Sequence, residues 1–251
     1  MNLHIVTPEQ YPAVRQMIGP ERCGAVYPLS VLLGIQSGTV FADDSMQAVL
    51  IWHCCGFGFL FGAYDHTFLE AVAEIMQNPV QYPRLLLFAP DEDTVTFFRK
   101  KDGFLPEQRL FFRYPDGQTP PESNAASVIT SDILPNIHGR ITPDFSWTSS
   151  ADFLRSGRGF CVMQENVPAA WAFSAAVSDT EIDIGVETDE QFRRRGFAFA
   201  AAAAMCRDIL SQGKMPVWAC HAENTGSQKL AAALGFIHCG QCLTIRRISH
   251  E

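Results

Sequence analysis

The chain has 251 residues, 47% of them hydrophobic and 18% charged, which suffices for one large core or two modest ones and excludes a disordered polymer. Nineteen Lys+Arg stand against 27 Asp+Glu for a net charge of -8, and the balance is eight to twelve up to residue 115 and eleven to fifteen beyond it. Neither half carries the basic surplus that phosphate neutralisation requires, so no nucleic-acid partner is expected.

The opening MNLHIVTPEQYP lacks the basic start and apolar run of a secretory signal. The longest apolar stretches, Phe57 to Ala63 and Phe197 to Cys206, fall well short of the ~20 residues of a spanning helix. No membrane partner and a cytoplasmic location are expected, and the eight scattered cysteines read as reduced thiols rather than a disulfide framework.

Along the chain, VFADD, AVLIWHCC and FGFLFGAY read as short strands, FLEAVAEIMQ as a helix, RLLLFA as a buried strand and DTVTFFRKKDGF as a helix ending in glycine. Pro115, Gly117, Pro120, Pro121 and Asn124 then break the periodicity, which divides the chain into a domain over 1–115, a linker over 116–125 and a domain over 126–251. Beyond the linker, ASVIT reads as a strand, SSADFLRSG as a short helix, and GFCVMQE, AAWAFSAAV and TEIDIGVE as three strands. An alanine-rich helix over Arg195 to Gln212, the strand MPVWACH, the helix TGSQKLAAALG and two last strands around GFIHC and CLTIRRI follow.

The segment DEDTVTFFRKKDGFLPEQRLFFRY parallels AENTGSQKLAAALGFIHCGQCLTIRR, each with a polar start, a helix, Gly-Phe and a strand. Two readings stay open: a duplication, or the recurrence of helix–glycine–strand units in any α/β protein. If the first half is a copy, it has no counterpart of the arginine–glycine segment described next and has lost the ligand site.

Gln191-Phe-Arg-Arg-Arg-Gly-Phe-Ala198 lies between a strand and the long helix. A helix start offers unpartnered backbone N–H groups and a dipole that favours an anion, Gly196 and Ala198 permit close approach, and Arg193, Arg194 and Arg195 add charge. One strand later comes Asn224-Thr-Gly-Ser227-Gln-Lys-Leu230-Ala-Ala-Ala-Leu234-Gly235-Phe236.

This pairing resembles the GNAT superfamily of acyl-CoA-dependent N-acyltransferases. Arg193, Gly196 and Ala198 match its Arg/Gln-x-x-Gly-x-Gly/Ala motif, and Asn224, Ser227, Leu230, Gly235 and Phe236 match its Asn-x-x-Ser-x-x-Leu and Gly-Phe pattern. Residues 126–248 follow the superfamily's strand and helix order, and EIDIGVETDEQFRRRGFA with VWACHAEN and LAAALGF is most similar to the zwittermicin-A-resistance-type branch. The resemblance implies an α/β (α+β) fold, with a mixed central sheet flanked by helices in the C-terminal domain; the smaller α/β domain before it is a degenerate GNAT-like repeat on the duplication reading. It also implies acetyl-CoA as cosubstrate without a metal. The pyrophosphate would lie on the amides of Arg194 through Ala198, Phe197 included. The pantetheine arm would lie between Val186, Glu187 and Thr188 on one strand and Trp218 to His221 on the next, with Asn224 and Ser227 at its far end.

Acetyl transfer to an amine needs a group to take the amine proton, and the alternation of Thr180-Glu-Ile-Asp-Ile-Gly-Val-Glu187 places Glu181, Asp183 and Glu187 on one face. Glu181 and Asp183 are equal candidates for the base. Many relatives carry a tyrosine as general acid after the motif leucine, where this chain has Ala231, which leaves His221 and Ser227 for that role. The acceptor is expected to be a small-molecule amine, and the first domain either covers the acceptor side or forms a homodimer. The alternative is a non-catalytic acyl-CoA-binding module. Cys239-Gly-Gln-Cys242 reads as a hairpin turn between the last strands rather than a metal site, since no second CxxC exists.

Overall fold

The computed structural model describes residues 2–19, 23–78, 84–123 and 125–248. Its first elements are β1 (His4–Ile5), α1 (Tyr11–Arg15), α2 (Val26–Leu32), β2 (Gly38–Ala42), β3 (Ala48–His53), β4 (Phe57–Gly62), α3 (His66–Gln77), β5 (Leu86–Phe88), α4 (Glu92–Arg99) and β6 (Phe104–Arg113). They are followed by β7 (Ser127–Val128), α5 (Ser150–Ser156), β8 (Gly159–Gln164), β9 (Val167–Val177), β10 (Glu181–Thr188), α6 (Phe197–Ser211), β11 (Met215–His221), α7 (Thr225–Leu234) and β12 (Ile237–Arg247). The expected strands and helices form, with β1, α1 and α2 added in a stretch that shows no clear periodicity.

The chain divides into two compact units, Met1–Leu110 with Gln241–Glu251, and Phe111–Gly240. In the first the strand order is β1-β2-β3-β4-β5-β12-β6, and in the second β6-β11-β10-β9-β8-β7. Each unit contains an antiparallel meander, β2–β4 or β8–β10. In each, the next strand lies parallel to the last strand of the meander, β5 to β4 and β11 to β10, and the helix between them supplies the crossover that parallel strands require.

The two units repeat each other in further detail. Asp91 and Asn224 occupy equivalent N-caps, accepting from Thr94 N at 2.7 Å and from Ser227 N at 3.0 Å, bonds worth ~1 kcal/mol each. The helix that Asn224 starts ends at Gly235 (φ 101°), a left-handed C-cap that favours glycine, whereas α4 is capped by Lys100 and the left-handed Gly103 (φ 87°) follows in the turn before β6. The parallel between the two segments is therefore architectural.

The strands that follow those glycines are exchanged. Gln241 to Arg247, from the end of the chain, belongs to the first unit, where Thr244, Ile245 and Arg246 register with Phe88, Leu87 and Leu86. Phe111 to Arg113, from the strand that closes the first half, belongs to the second, where the following Tyr114 N donates to Pro216 O at 3.0 Å. One expectation needs correction: Cys239 to Cys242 form no hairpin, because Ile237–Arg247 is a single strand and Gly240 does not adopt the positive φ a tight turn would use.

The proline-rich segment is pinned within the second unit. Arg207 of α6 donates to the carbonyl of Pro121 and, at 2.8 Å, to that of Ser123, and the Gln118 amide fills the space beside Gly235 that a Cβ would need.

The first unit's core gathers Leu50, Leu60, Phe68, Val72, Phe98 and Phe104, with Ile245 of β12 fully buried among them. Arg246 Nε lies 2.5 Å from Glu107 Oε1, and Arg247 donates to Met76 O at 3.1 Å. The half-buried, solvent-accessible ion pair contributes little, so the strand is held mainly by its ladder and by Ile245. Ile245→Ala is expected to cost about 2–5 kcal/mol in urea unfolding, and a chain ending at Gly240 is expected to lose cooperative unfolding of the first unit altogether.

Candidate active site

Helix α6 starts differently from its neighbours. Helices α3, α4, α5 and α7 each begin with a side-chain cap, from Asp65, Asp91, Ser149 and Asn224. At α6 the N-cap is Gly196, left-handed at φ 80°, with no side-chain cap. The first helical bond runs from Ala200 N to Gly196 O at 3.1 Å, so the N–H groups of Phe197, Ala198 and Phe199 have no partner within the helix. A Cβ at Gly196 would meet nothing within 4 Å. Backbone conformation, not lack of room, is what selects glycine here.

The loop before it is anchored by buried Phe192, in a 3-10 turn over Glu190–Phe192 whose first N–H groups are met by Asp189 through Gln191 N at 3.0 Å. Arg193 Nη1 lies 3.4 Å from Glu190 Oε1 and the Arg195 guanidinium lies 5.5 Å from the Phe192 ring centre. Arg194 adopts φ 63°, unusual for a side chain of its size. All three arginines and Gly196 are exposed. The loop thus presents free donors, the positive end of a 15-residue helix and three cations at one place.

Directly upstream, two parallel strands separate. The β10–β11 pairing covers Glu181, Ile182 and Asp183 against Met215, Pro216 and Val217. β10 continues to Thr188 and β11 to His221 without further pairing to each other among the described residues, while β10 stays paired with β9 to its end. The register of β9 against β10 also shifts between Asp183 and Ile184, a bulge that bends strands locally. Past Asp183 the edge of β10 facing β11 therefore carries main-chain groups with no strand partner, including those of Val186 and Thr188, both half-buried, while Glu187 between them is the register partner of Trp171 on β9.

Asp183, the last paired residue, is 5% exposed, and burial on both sides of β10 replaces a solvated acidic face. Glu181 stands at the paired end, half-buried, and burial raises its carboxyl above the ordinary range against the opposing charge of Arg113. Glu187 is committed elsewhere: its Oε2 accepts from Ile141 N at 2.6 Å. His221 is half-buried at the open end of β11. Trp218 and Cys220 are buried on one side of β11, as alternation requires, and Trp218 Nε1 donates to Ser227 Oγ at 2.9 Å. Asn224 spends its side-chain oxygen on the α7 cap. Ala231 is fully buried and supplies no acid.

One group of residues around the site has no sequence signal. Trp171 Nε1 donates to Ile141 O at 2.7 Å, so Trp171 and Glu187, register partners on β9 and β10, hold both backbone groups of Ile141. These contacts span 30 and 46 residues, beyond any local periodicity. Among the described residues no cluster of three His, Cys, Asp or Glu side chains is able to hold a metal, and no helix is long and apolar enough to cross a membrane.

Residues 121–242 match the family model described as GNAT acetyltransferase. Solved structures similar to the chain include a GCN5-related N-acetyltransferase-like protein from Streptococcus suis, 22% identical over 96% of this chain and 99% of that one, with a TM-score of 0.76. A GCN5-related N-acetyltransferase from Sphaerobacter thermophilus is 13% identical over 100% and 97% (TM-score 0.63). A tandem GNAT protein from the clavulanic acid biosynthesis pathway is 10% identical over 100% and 99% (TM-score 0.58). At these identities the likeness is one of fold, and it supports a two-domain GNAT-like arrangement. No curated protein matches the chain.

Two outcomes are expected. Arg193→Glu with Gly196→Asp places carboxylates at the free donors and should weaken acetyl-CoA binding about hundredfold in calorimetry, the loss of two charge-assisted bonds at ~1.5 kcal/mol each, with the melting temperature lowered by about 2–4 °C because position 196 is left-handed. For Glu181, a folded-state value above the unfolded one means that ionisation costs stability, and the cost is absent below the unfolded value and sets in as pH rises through it. Glu181→Gln should therefore raise the melting temperature at pH 7 by no more than about 2–4 °C, and by nothing at pH 4.

Proposed function

We propose that the second unit transfers an acetyl group from acetyl-CoA to the primary amine of a small molecule, directly, within a ternary complex. The observation that carries this reading is the parting of β10 from β11 after Asp183 and Val217, immediately before an uncapped helix start flanked by three arginines. A gap with free main-chain groups suits an amide-bearing arm, and the loop suits a pyrophosphate. On motif grounds we place the domain nearest the zwittermicin-A-resistance-type branch. From the scattered spacing of the eight cysteines we place the protein in the cytoplasm.

The chemistry assigns roles to side chains. The amine nitrogen bonds to the acetyl carbon, the carbon–sulfur bond breaks, the amine proton passes to a carboxylate and the departing thiolate takes up a proton. Asp183, buried where the gap opens, is the better placed base. Glu181 lies two residues further into the paired region, ~6–7 Å along the strand. His221 stands half-buried at the open end of β11, within the span proposed to flank the arm. Ser227 accepts from Trp218 and so keeps its own proton to give. The buried Ala231 favours a second reading, an acyl-CoA-binding module without turnover.

A panel of primary amines assayed for free thiol release separates the two. Turnover that falls about 10²–10⁴-fold in Asp183→Asn, with acetyl-CoA affinity retained, supports the enzyme with Asp183 as base. Binding without turnover on any amine supports the module, and absence of acetyl-CoA binding rejects both.

A further inference from the structure

The clamp on Ile141 carries an inference that rests on the acyl-CoA reading of the gap. Glu187 Oε2 takes the Ile141 N–H at 2.6 Å and Trp171 Nε1 reaches the Ile141 carbonyl at 2.7 Å. Gly139 completes the fit, since a Cβ there would stand 2.4 Å from Glu187 Oε2 and 3.0 Å from Trp171 Cζ2. A loop residue is thus fixed at both main-chain polar groups by two adjacent strands, while His138, Gly139 and Arg140 beside it stay exposed. The strand that supplies the carboxylate is the one whose edge is unpaired from Ile184 onward, and Asp189, two residues after Glu187, begins the arginine–glycine loop.

We infer that Glu187 is a positioning residue that couples acyl-CoA occupancy of the β10 edge to the loop over His138–Ile141, making that loop ligand-responsive. Main-chain bonds from the arm to Val186 or Thr188 restrict the strand end, and the Glu187 carboxylate between them transmits the restriction to Ile141. Coupling of this kind is reciprocal: ligand that steadies the loop is bound more tightly because the loop is held.

Trypsin provides the readout, because the Arg140–Ile141 bond lies inside the clamp and cleavage requires it to open. The cut at 140/141 is followed by mass spectrometry with and without saturating acetyl-CoA, and acetyl-CoA affinity is measured alongside by calorimetry. In the unmodified protein acetyl-CoA should slow the cut about fivefold. In Glu187→Ala the cut should be at least tenfold faster without ligand and indifferent to acetyl-CoA, with affinity weakened by the factor that protection has lost. Glu187→Gln, whose amide oxygen still accepts from Ile141, should behave as the unmodified protein. Gly139→Ala, which forces the clamp apart from the other side, should reproduce Glu187→Ala and replaces it if that variant does not fold. A purely structural tether would speed cutting yet leave the protection by acetyl-CoA unchanged, and that result overturns the inference, as does binding of acetyl-CoA without any protection. If the unmodified protein does not bind acetyl-CoA, the acyl-CoA reading fails first and the coupling with it.

Discussion

The second unit depends on where one ladder stops. Three register pairs hold β10 to β11, and the next residues of both strands are left without each other. Leaving main-chain groups unpaired inside a folded sheet is costly unless something else meets them. β9 holds β10 from the other side over its whole remaining length, so the strand keeps its shape while one edge stays open. A rigid strand with a free edge is what recognition by main-chain hydrogen bonding uses. The arginine–glycine loop sits directly after that edge, so the proposed function puts charge recognition and arm recognition on consecutive stretches of chain.

The first unit shows what happens to the same architecture without those features. Its parallel pair also ends early, with Phe57, Gly58 and Phe59 against Leu86, Leu87 and Phe88 while β4 continues to Gly62. There the rings of Phe59 and Phe88 stack with centres 4.4 Å apart. Only three residues link β4 to α3, and the last, Asp65, caps the helix by accepting from Phe68 N at 2.9 Å. A carboxylate thus occupies the place of an incoming anion at that helix start. The two units share this strand and crossover arrangement and the exchanged closing strands, and they differ in the residues that join the last meander strand to the crossover helix.

Much of this was legible in the sequence because it is local. Alternation in MPVWACH, the alanine face of α6, the Gly-Phe pairs and the caps at Asp91 and Asn224 act over one to four residues, and each forms as its chemistry dictates. The arginine–glycine segment lies at a helix start for the same reason. What periodicity does not encode is pairing at a distance. Cys239 to Cys242 look like a turn because glycine and glutamine separate them, yet the segment continues as strand, since Leu243 to Arg246 are drawn into the ladder beside β5. Glu187 looks like one of three equivalent acids on an alternating strand. A contact 46 residues away makes it a tether instead.

The same distinction sorts the acids chemically. The Glu187 carboxylate is spent on a 2.6 Å bond from the Ile141 backbone N–H, a structural contact and not one made toward the gap. Glu181, lifted by burial, holds a proton more readily but stands where the strands are still joined. Asp183 combines burial with a position at the fork, the place where a reacting group in the gap would first meet a side chain rather than a ladder. One strand therefore carries three acids with three environments. The division of labour among them follows from the point at which β11 departs, not from their residue types.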